Sequence, residues 1–257
     1  MTLYDAVVRH EAVEKIVTRS AGETQEKKYW RFRFDRWYGG IVTADAVGCG
    51  LLCRFCWVSD SVMFRPDEVG TFYSAERVAK ILTEMAEKRG LRQLRVSGGE
   101  PTIGKKHLLE LLERLSGQNL LFILETNGLL IGHEQGYAEE LSKYPFVHVR
   151  VSLKGCCEEE FAKLTGAKPE GFLLQLNALE NLAKSGVHCH PAVMVSFSPR
   201  KSLQNLVARI HNIDSQLAKE MEIEELILYP SVQKKIRKYG LNYCRAYAPK
   251  EVPKELV

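Results

Sequence analysis

The chain has 257 residues, 45% of them apolar, and a formal net charge of +4 from 36 Lys and Arg against 32 Asp and Glu. That length supports a real core and a single α/β domain, and so mild a charge does not by itself argue for a nucleic-acid partner. The N-terminus, MTLYDAVVRHEAVEK, lacks a basic stretch leading into an apolar run, and no apolar segment approaches the roughly 18 residues of a membrane helix, so a cytoplasmic protein without membrane contact is expected.

Residues 1–40 read as an N-terminal extension resting on the core. In it, aromatic and basic side chains interleave over Tyr29-Trp30-Arg31-Phe32-Arg33-Phe34. Partial alternation of this kind suits a two-faced strand; the functional alternative is base stacking combined with phosphate contacts. From Gly40 the pattern is regular. Ile41–Ala46 reads as a strand. Ser74 is a helix N-cap ahead of Val78, Ile81, Leu82 and Met85, with Gly90 as the stop. Arg92–Ser97 is a strand, Lys105–Leu115 a Leu-rich helix, Leu120–Glu125 a strand, Tyr137–Lys143 a short helix and Phe146–Leu153 a strand. Phe172, Leu173, Leu176, Leu179 and Leu182 mark a helix that ends at Gly186; Val187–Ser196 is a strand, Ser202–Ile210 a helix and Glu225–Tyr229 the last strand.

Six strands alternating with helices imply parallel strands covered by helices. An eight-unit closed barrel needs more; a partial barrel and an open doubly wound sheet both fit. In either, function gathers at the carboxyl ends of the strands. Residues 41–230 form this core, and 231–257 a basic C-terminal tail that is either a solvated face or a docking surface.

The loop after the first strand reads Cys49-Gly50-Leu51-Leu52-Cys53-Arg54-Phe55-Cys56. Three thiolates so close can hold one corner of an iron–sulfur cube and leave one iron open. Three other readings compete: a structural zinc completed by Cys156, Cys157, Cys189 or Cys244, a Cys53/Cys56 redox pair, and inert buried thiols.

This loop resembles the C-x3-C-x-φ-C signature of the radical S-adenosylmethionine (SAM) superfamily, and three more motifs follow in that superfamily's order. Ser97-Gly98-Gly99-Glu100-Pro101 closes the second strand, Glu125-Thr126-Asn127-Gly128 the third, and Ser152-Leu153-Lys154-Gly155 the fourth. The resemblance spans roughly Ile41 to Pro230. It implies a partial (β/α)6 barrel, a [4Fe–4S] cluster on Cys49, Cys53 and Cys56, and SAM chelating the open iron. It also implies reductive cleavage of SAM to a 5′-deoxyadenosyl radical that takes hydrogen from substrate. Carried over residue by residue, the backbone around Phe55 meets adenine, while Gly98, Gly99 and Glu100 meet the methionyl end and amino group. Asn127 falls at the ribose and Lys154 at the SAM carboxylate. Flavodoxin or ferredoxin is the implied class of electron donor.

Within the superfamily the chain looks most similar to the compact glycyl-radical-enzyme activating group, which implies a protein glycyl residue as substrate. It departs from that group at two acidic positions that help hold a monovalent cation. Here they are Glu125 and Ser152, and the expectation is that the Arg150 guanidinium replaces the cation. RNA, another peptide or a cofactor precursor are alternative substrates. Molybdenum-cofactor-type cyclases share the core but normally add a second cluster, for which Cys156, Cys157 and Cys189 show no compact ligand loop. His188 and His190 flank Cys189 in strand register, one of them facing the barrel mouth as a proton-handling group.

Overall fold

Asp5 starts the first helix by accepting hydrogen bonds from the Val7 and Val8 amides, and α1 (Ala6–Val17) follows. The computed structural model describes residues 2–253. β1 (Thr18–Ala21) and β2 (Thr24–Asp35) make an antiparallel hairpin, and β2 runs antiparallel to β3 (Ile41–Ala46). After the cysteine loop come α2 (Asp60–Phe64) and β4 (Thr71–Ser74), which pairs with β2. The repeating part then runs α3 (Ala75–Arg89), β5 (Gln93–Gly98), α4 (Lys105–Leu115), β6 (Leu121–Thr126), α5 (Leu129–His133), α6 (Gln135–Leu141) and β7 (Val147–Leu153). It continues with α7 (Glu158–Thr165), α8 (Glu170–Lys184), β8 (Cys189–Met194), α9 (Arg200–Ile213), α10 (Ser215–Lys219) and β9 (Glu222–Glu224). A last small sheet joins β10 (Leu226–Ile227) to β11 (Ala246–Tyr247) across α11 (Pro230–Tyr239).

β3, β5, β6, β7, β8 and β9 are parallel neighbours in that order, the six-stranded α/β architecture expected. The strand alternation separates two chemistries. Val42, Ala44, Leu94, Val96, Phe122, Leu124, Val149, Val151 and Val193 face the helices and form the main core with Leu82, Leu108, Leu111, Leu112, Phe172 and Leu179. Each such leucine or phenylalanine contributes roughly 1.5–3 kcal/mol by leaving water. Thr43, Asp45, Arg95, Ser97, Glu125, Arg150, Ser152, Glu222 and Glu224 occupy the alternate positions and form the polar inner face of the partial barrel.

Three differences from the sequence reading matter. The sixth strand is Glu222–Glu224, not Glu225–Tyr229. The apolar run Leu226–Leu228 drew the expectation, but Glu222 and Glu224 share the buried Arg150 of β7 as their partner, and Leu226 instead joins a separate apolar cluster with Phe55 and Met194. Tyr29–Phe34 is indeed strand, within β2, but a register shift between Tyr29 and Arg31 breaks its alternation. Tyr29 stacks on Phe32, and Arg31 and Arg33 are engaged by Asp45, while Phe34 stays exposed. Finally, the basic C-terminal stretch contains a helix, α11, whose Lys235 is buried.

Candidate cluster and SAM site

The cysteine loop runs from β3 toward α2, at the carboxyl ends of the parallel strands, and is held from three sides. From α1, Val13 and Val17 join Val47, Val58, Val62, Met63 and Ile103 in an apolar cluster against Cys49 and Cys56. From α11, the Lys235 ammonium donates to the carbonyls of Cys56 (2.9 Å) and Val58 (2.6 Å) and pairs with Asp60 (3.1 Å). From the N-terminus, the Tyr4 hydroxyl accepts from the Leu52 amide (2.8 Å). The Phe55 ring is buried, 5.2 Å from Phe197.

Cys49, Cys53 and Cys56 are free thiols. Burial pushes all three up, Cys53 to about 12; at Cys49 the Glu100 carboxylate and Cys53 add to it, and at Cys53 and Cys56 the Lys154 and Lys235 ammoniums partly offset it. Buried thiols of this kind ionise when a cation arrives. Among the described residues, the set of three potential ligands whose donor atoms all lie within 4.8 Å of one another is His10, Cys49 and Glu100, not the three cysteines. Sulfurs bound to a single zinc at about 2.3 Å would sit roughly 4 Å apart or less. Three thiols spread more widely around one loop fit three irons of a cube.

His10 and Glu100 are themselves already committed. Glu100 is 2% exposed; its Oε1 accepts from the Thr102 amide (3.1 Å), the Thr102 hydroxyl (2.7 Å) and the Thr126 hydroxyl (2.7 Å), and its Oε2 from the Asn127 amide (2.9 Å). Its carboxylate thus ties the end of β5 to the end of β6. The buried Lys27 ammonium fastens the same turn from β2, donating to the carbonyls of Glu100, Pro101 and Ile103 at 2.9, 2.9 and 2.6 Å.

Gly98 and Gly99 form a close backbone crossing. Gly98 has φ +84°, and a Cβ on Gly99 would lie 2.2 Å from the Gly48 carbonyl oxygen. The Gly99 amide donates to Ala46 O (2.8 Å) and the Glu100 amide to Gly48 O (2.7 Å), so the glycine turn is stitched directly to the start of the cysteine loop. The Asn127 side chain is 5% exposed beside that loop, with Oδ1 accepting from the Leu129 amide (3.0 Å).

Just past the end of β7, Lys154 donates to the Ser152 hydroxyl, and Ser152 donates to Glu224 Oε2 (3.0 Å). Arg150 pairs with Glu222 (2.6 Å) and Glu224 (2.9 Å). Burial alone would raise the Glu224 carboxyl; Arg150 and Lys154 outweigh it and hold it below the usual range. The same balance, struck by Arg95 and Arg150, keeps Glu125 low, with the Tyr38 hydroxyl (2.6 Å) and Arg95 (2.9 Å) bonded to it. A carboxylate, that of Glu224 on β9, thus stands beside Ser152.

The structure brings the sequence-derived residues to one rim: Cys49, Cys53, Cys56 and Phe55 in the loop, and Gly98–Glu100, Asn127, and Ser152 and Lys154 at successive strand ends, with Arg150 one step deeper. It adds His10, Lys27, Glu224, Lys235 and Gln175. Gln175 is fully buried and donates to the carbonyls of Asn127 (2.7 Å) and Ser152 (2.9 Å), bridging two of the motifs. Its signal was present in the sequence as a polar residue inside the apolar stripe of Phe172, Leu176 and Leu179. The others left none, because each acts through contacts distant in sequence. Around Cys156, Cys157, Cys189 and Cys244 no three potential ligands converge among the described residues.

Comparison with known proteins agrees with this geometry. The chain is 32% identical over 118 residues to the "Probable GTP 3′,8-cyclase" of Methanococcus maripaludis, a match covering 46% of this chain and 37% of that protein. It is 29% identical over 135 residues to the GTP 3′,8-cyclase of Rhodopirellula baltica, covering 51% of this chain and 36% of that one. The chain thus spans well under half the length of these curated relatives. Its fold is similar to that of Streptococcus suis SuiB bound to S-adenosylmethionine, with a TM-score of 0.58 at 19% identity over 76% of this chain and 44% of SuiB. It also resembles TYW1 with a bound lysine-pyruvate adduct, with a TM-score of 0.51 at 14% identity over 93% of this chain and 90% of that one. The family model described as the radical SAM superfamily matches residues 45–209. The chain, an enzyme by that membership with a [4Fe–4S] cluster and SAM as its cofactors, belongs to the radical SAM superfamily.

Proposed function

We propose that the chain cleaves SAM reductively at a cluster held by Cys49, Cys53 and Cys56, and uses the resulting radical on a small substrate carrying several charges. The cluster supplies the electron that breaks the S–C5′ bond of SAM, so that a hydrogen atom can be taken from substrate. The chain's own residues do the holding. The Gly98–Gly99 turn, set against the Gly48 backbone, would face the methionyl end, the Lys154 ammonium would meet the SAM carboxylate, and the Phe55 backbone would meet adenine. Glu100 and Gln175 lock the strand ends that carry Asn127, Ser152 and Lys154. Arg150, paired with Glu222 and Glu224, provides the positive charge that a monovalent cation would otherwise provide.

The observation that carries the substrate class is the inner face. Arg31, Arg33, Arg95, Arg150 and Lys154 interleave there with Asp35, Asp45, Glu125, Glu222 and Glu224. Such a lattice disfavours an apolar guest and offers both signs of charge to a polar one. A GTP-like cofactor precursor is of that class, and the relatives named for GTP support it. The second reading, a glycyl residue of a partner protein, is favoured by the run of Leu164–Gly166 and His190-Pro191 after the strand motifs, as in the activating group. In either case reduced flavodoxin or ferredoxin is the donor.

Anaerobic reconstitution with iron and sulfide, followed by reduction and assay for 5′-deoxyadenosine, tests the reading. The wild type is expected to form it and Cys53→Ala to lose it by at least a hundredfold. Protein that binds zinc in place of a cluster, or a cluster that leaves SAM intact, would reject it. Stimulation by charged small molecules but not by glycyl-containing protein loops separates the two substrates.

A further inference from the structure

His10 is fully buried in α1, and its ring lies flat enough on the cysteine loop that a Cβ on Gly50 would sit 1.9 Å from its Nδ1. Nδ1 is 2.6 Å from the Ala6 carbonyl oxygen, which only accepts, so Nδ1 carries the ring proton and Nε2 is the acceptor. The Asn127 Nδ2 lies 3.2 Å from that Nε2 and 3.7 Å from Cys49 Sγ. The opposite end of the amide is fixed as well, because Oδ1 accepts from the Leu129 amide. Turning the amide over would set its oxygen against two acceptors, Nε2 and the sulfur, and its NH2 against the Leu129 N–H. One N–H of Asn127 is therefore aimed at His10 and the other at Cys49 Sγ, which also receives the Leu51 amide at 3.4 Å.

We infer that Asn127, oriented by His10, donates an N–H···S hydrogen bond to the Cys49 thiolate and thereby raises the reduction potential of the cluster. This rests on the cluster assignment of the preceding section. The reduced cluster carries one more negative charge, spread in part onto its thiolates. A donor at sulfur stabilises that state more than the oxidised one, and potentials of such clusters follow the hydrogen bonds to their sulfurs. Asn127 is a tuning residue and His10 a positioning residue that acts through it. The device links α1, which lies outside the motif-bearing strands, to the electronics of the site. Only the part of that bond's strength that differs between the two oxidation states moves the potential.

The test is a redox titration of the anaerobically reconstituted full chain, without SAM, following the electron paramagnetic resonance signal of the reduced cluster. Asn127→Ser keeps a side-chain oxygen to cap the Leu129 amide but is too short to reach the sulfur. At a fixed solution potential its ratio of reduced to oxidised cluster is expected to fall about tenfold, equivalent to ~59 mV for a one-electron couple. His10→Phe is expected to move the ratio in the same direction, and His10→Gln, whose side-chain oxygen can replace Nε2 as acceptor, to restore it. Unchanged potentials in Asn127→Ser overturn the inference. If that variant takes up too little iron to titrate, the His10 pair decides, and equal potentials for His10→Phe and His10→Gln overturn it. Failure of the wild type to assemble a cluster on Cys49, Cys53 and Cys56 would instead strike the function proposed above.

Discussion

Single residues at this site are chosen for what they leave out as much as for what they contribute. Gly50 and Gly99 have no room for a side chain: one abuts the His10 ring, the other the Gly48 carbonyl. The two clashes differ in kind. At Gly99 the obstacle is backbone, and nothing can step aside; at Gly50 it is a side chain that can be removed. Gly50→Ala is therefore expected to destabilise the protein by about 1–3 kcal/mol through overpacking, and His10→Ala in the same chain to return part of that loss. Denaturant unfolding of the four members of that cycle checks it; simple additivity would show that His10 does not press on Gly50 in solution. The glycines at 98 and 99 were legible as a motif, but the backbone they crowd, that of Asp45, Ala46 and Gly48, was not. Glu100 was legible as a site residue, but not its donors Thr126 and Asn127, which meet it only after β5 and β6 are aligned, whereas Thr102 bonds it from two residues away.

At the scale of elements, the N-terminal hairpin is the part least visible beforehand and among the most firmly anchored. Its anchor is a polar contact inside the core. His107 on α4 donates through Nδ1 to the Gln25 carbonyl (2.8 Å), and its Nε2 accepts from the Tyr29 hydroxyl (2.9 Å). Burial pushes this imidazole down to about 4; the Gln25 bond opposes that and the Lys27 charge adds to it. An unfolded histidine titrates near ~6.5. Between that pH and about 4 the unfolded chain takes up a proton that the folded chain refuses, so stability falls as the pH falls through that window. Above it His107 contributes no pH dependence. The loss reaches on the order of 3 kcal/mol at the acid end. The wild type's stability advantage over His107→Gln is accordingly expected to shrink as the pH is lowered from 7 to 4, measured by thermal or denaturant unfolding. A gap that stays constant would place the histidine's titration elsewhere. The sequence showed His107 only as one member of a Leu-rich helix; its partner strand lies some eighty residues upstream.

For the whole molecule, the polar inner face is an extended arrangement of ion pairs in which Arg150 sits among carboxylates. Arg150 reaches two glutamates on β9 and lies near enough to Glu125 to help hold that carboxyl ionised. SAM cleavage is therefore expected to run at rates within about twofold in potassium, sodium and tetramethylammonium salts at equal ionic strength, an expectation that a several-fold requirement for potassium or sodium would reject. What the sequence by itself determined is what lies close along the chain: the α/β alternation, the parallel order of strands that it implies, the three cysteines of one loop, and the short motifs at strand ends. Local spacing suffices for these, because three thiols within eight residues and a pair of glycines at a strand end keep their proximity in any fold that forms. What only the tertiary structure decided is which distant groups complete them. Glu224 sets a carboxylate beside Ser152, Lys235 braces the cysteine loop from the far end of the chain, and His10 lies against the Asn127 amide that reaches Cys49. Those pairings depend on strand register and helix docking, which bring together residues 72 to 179 positions apart and which no local pattern encodes.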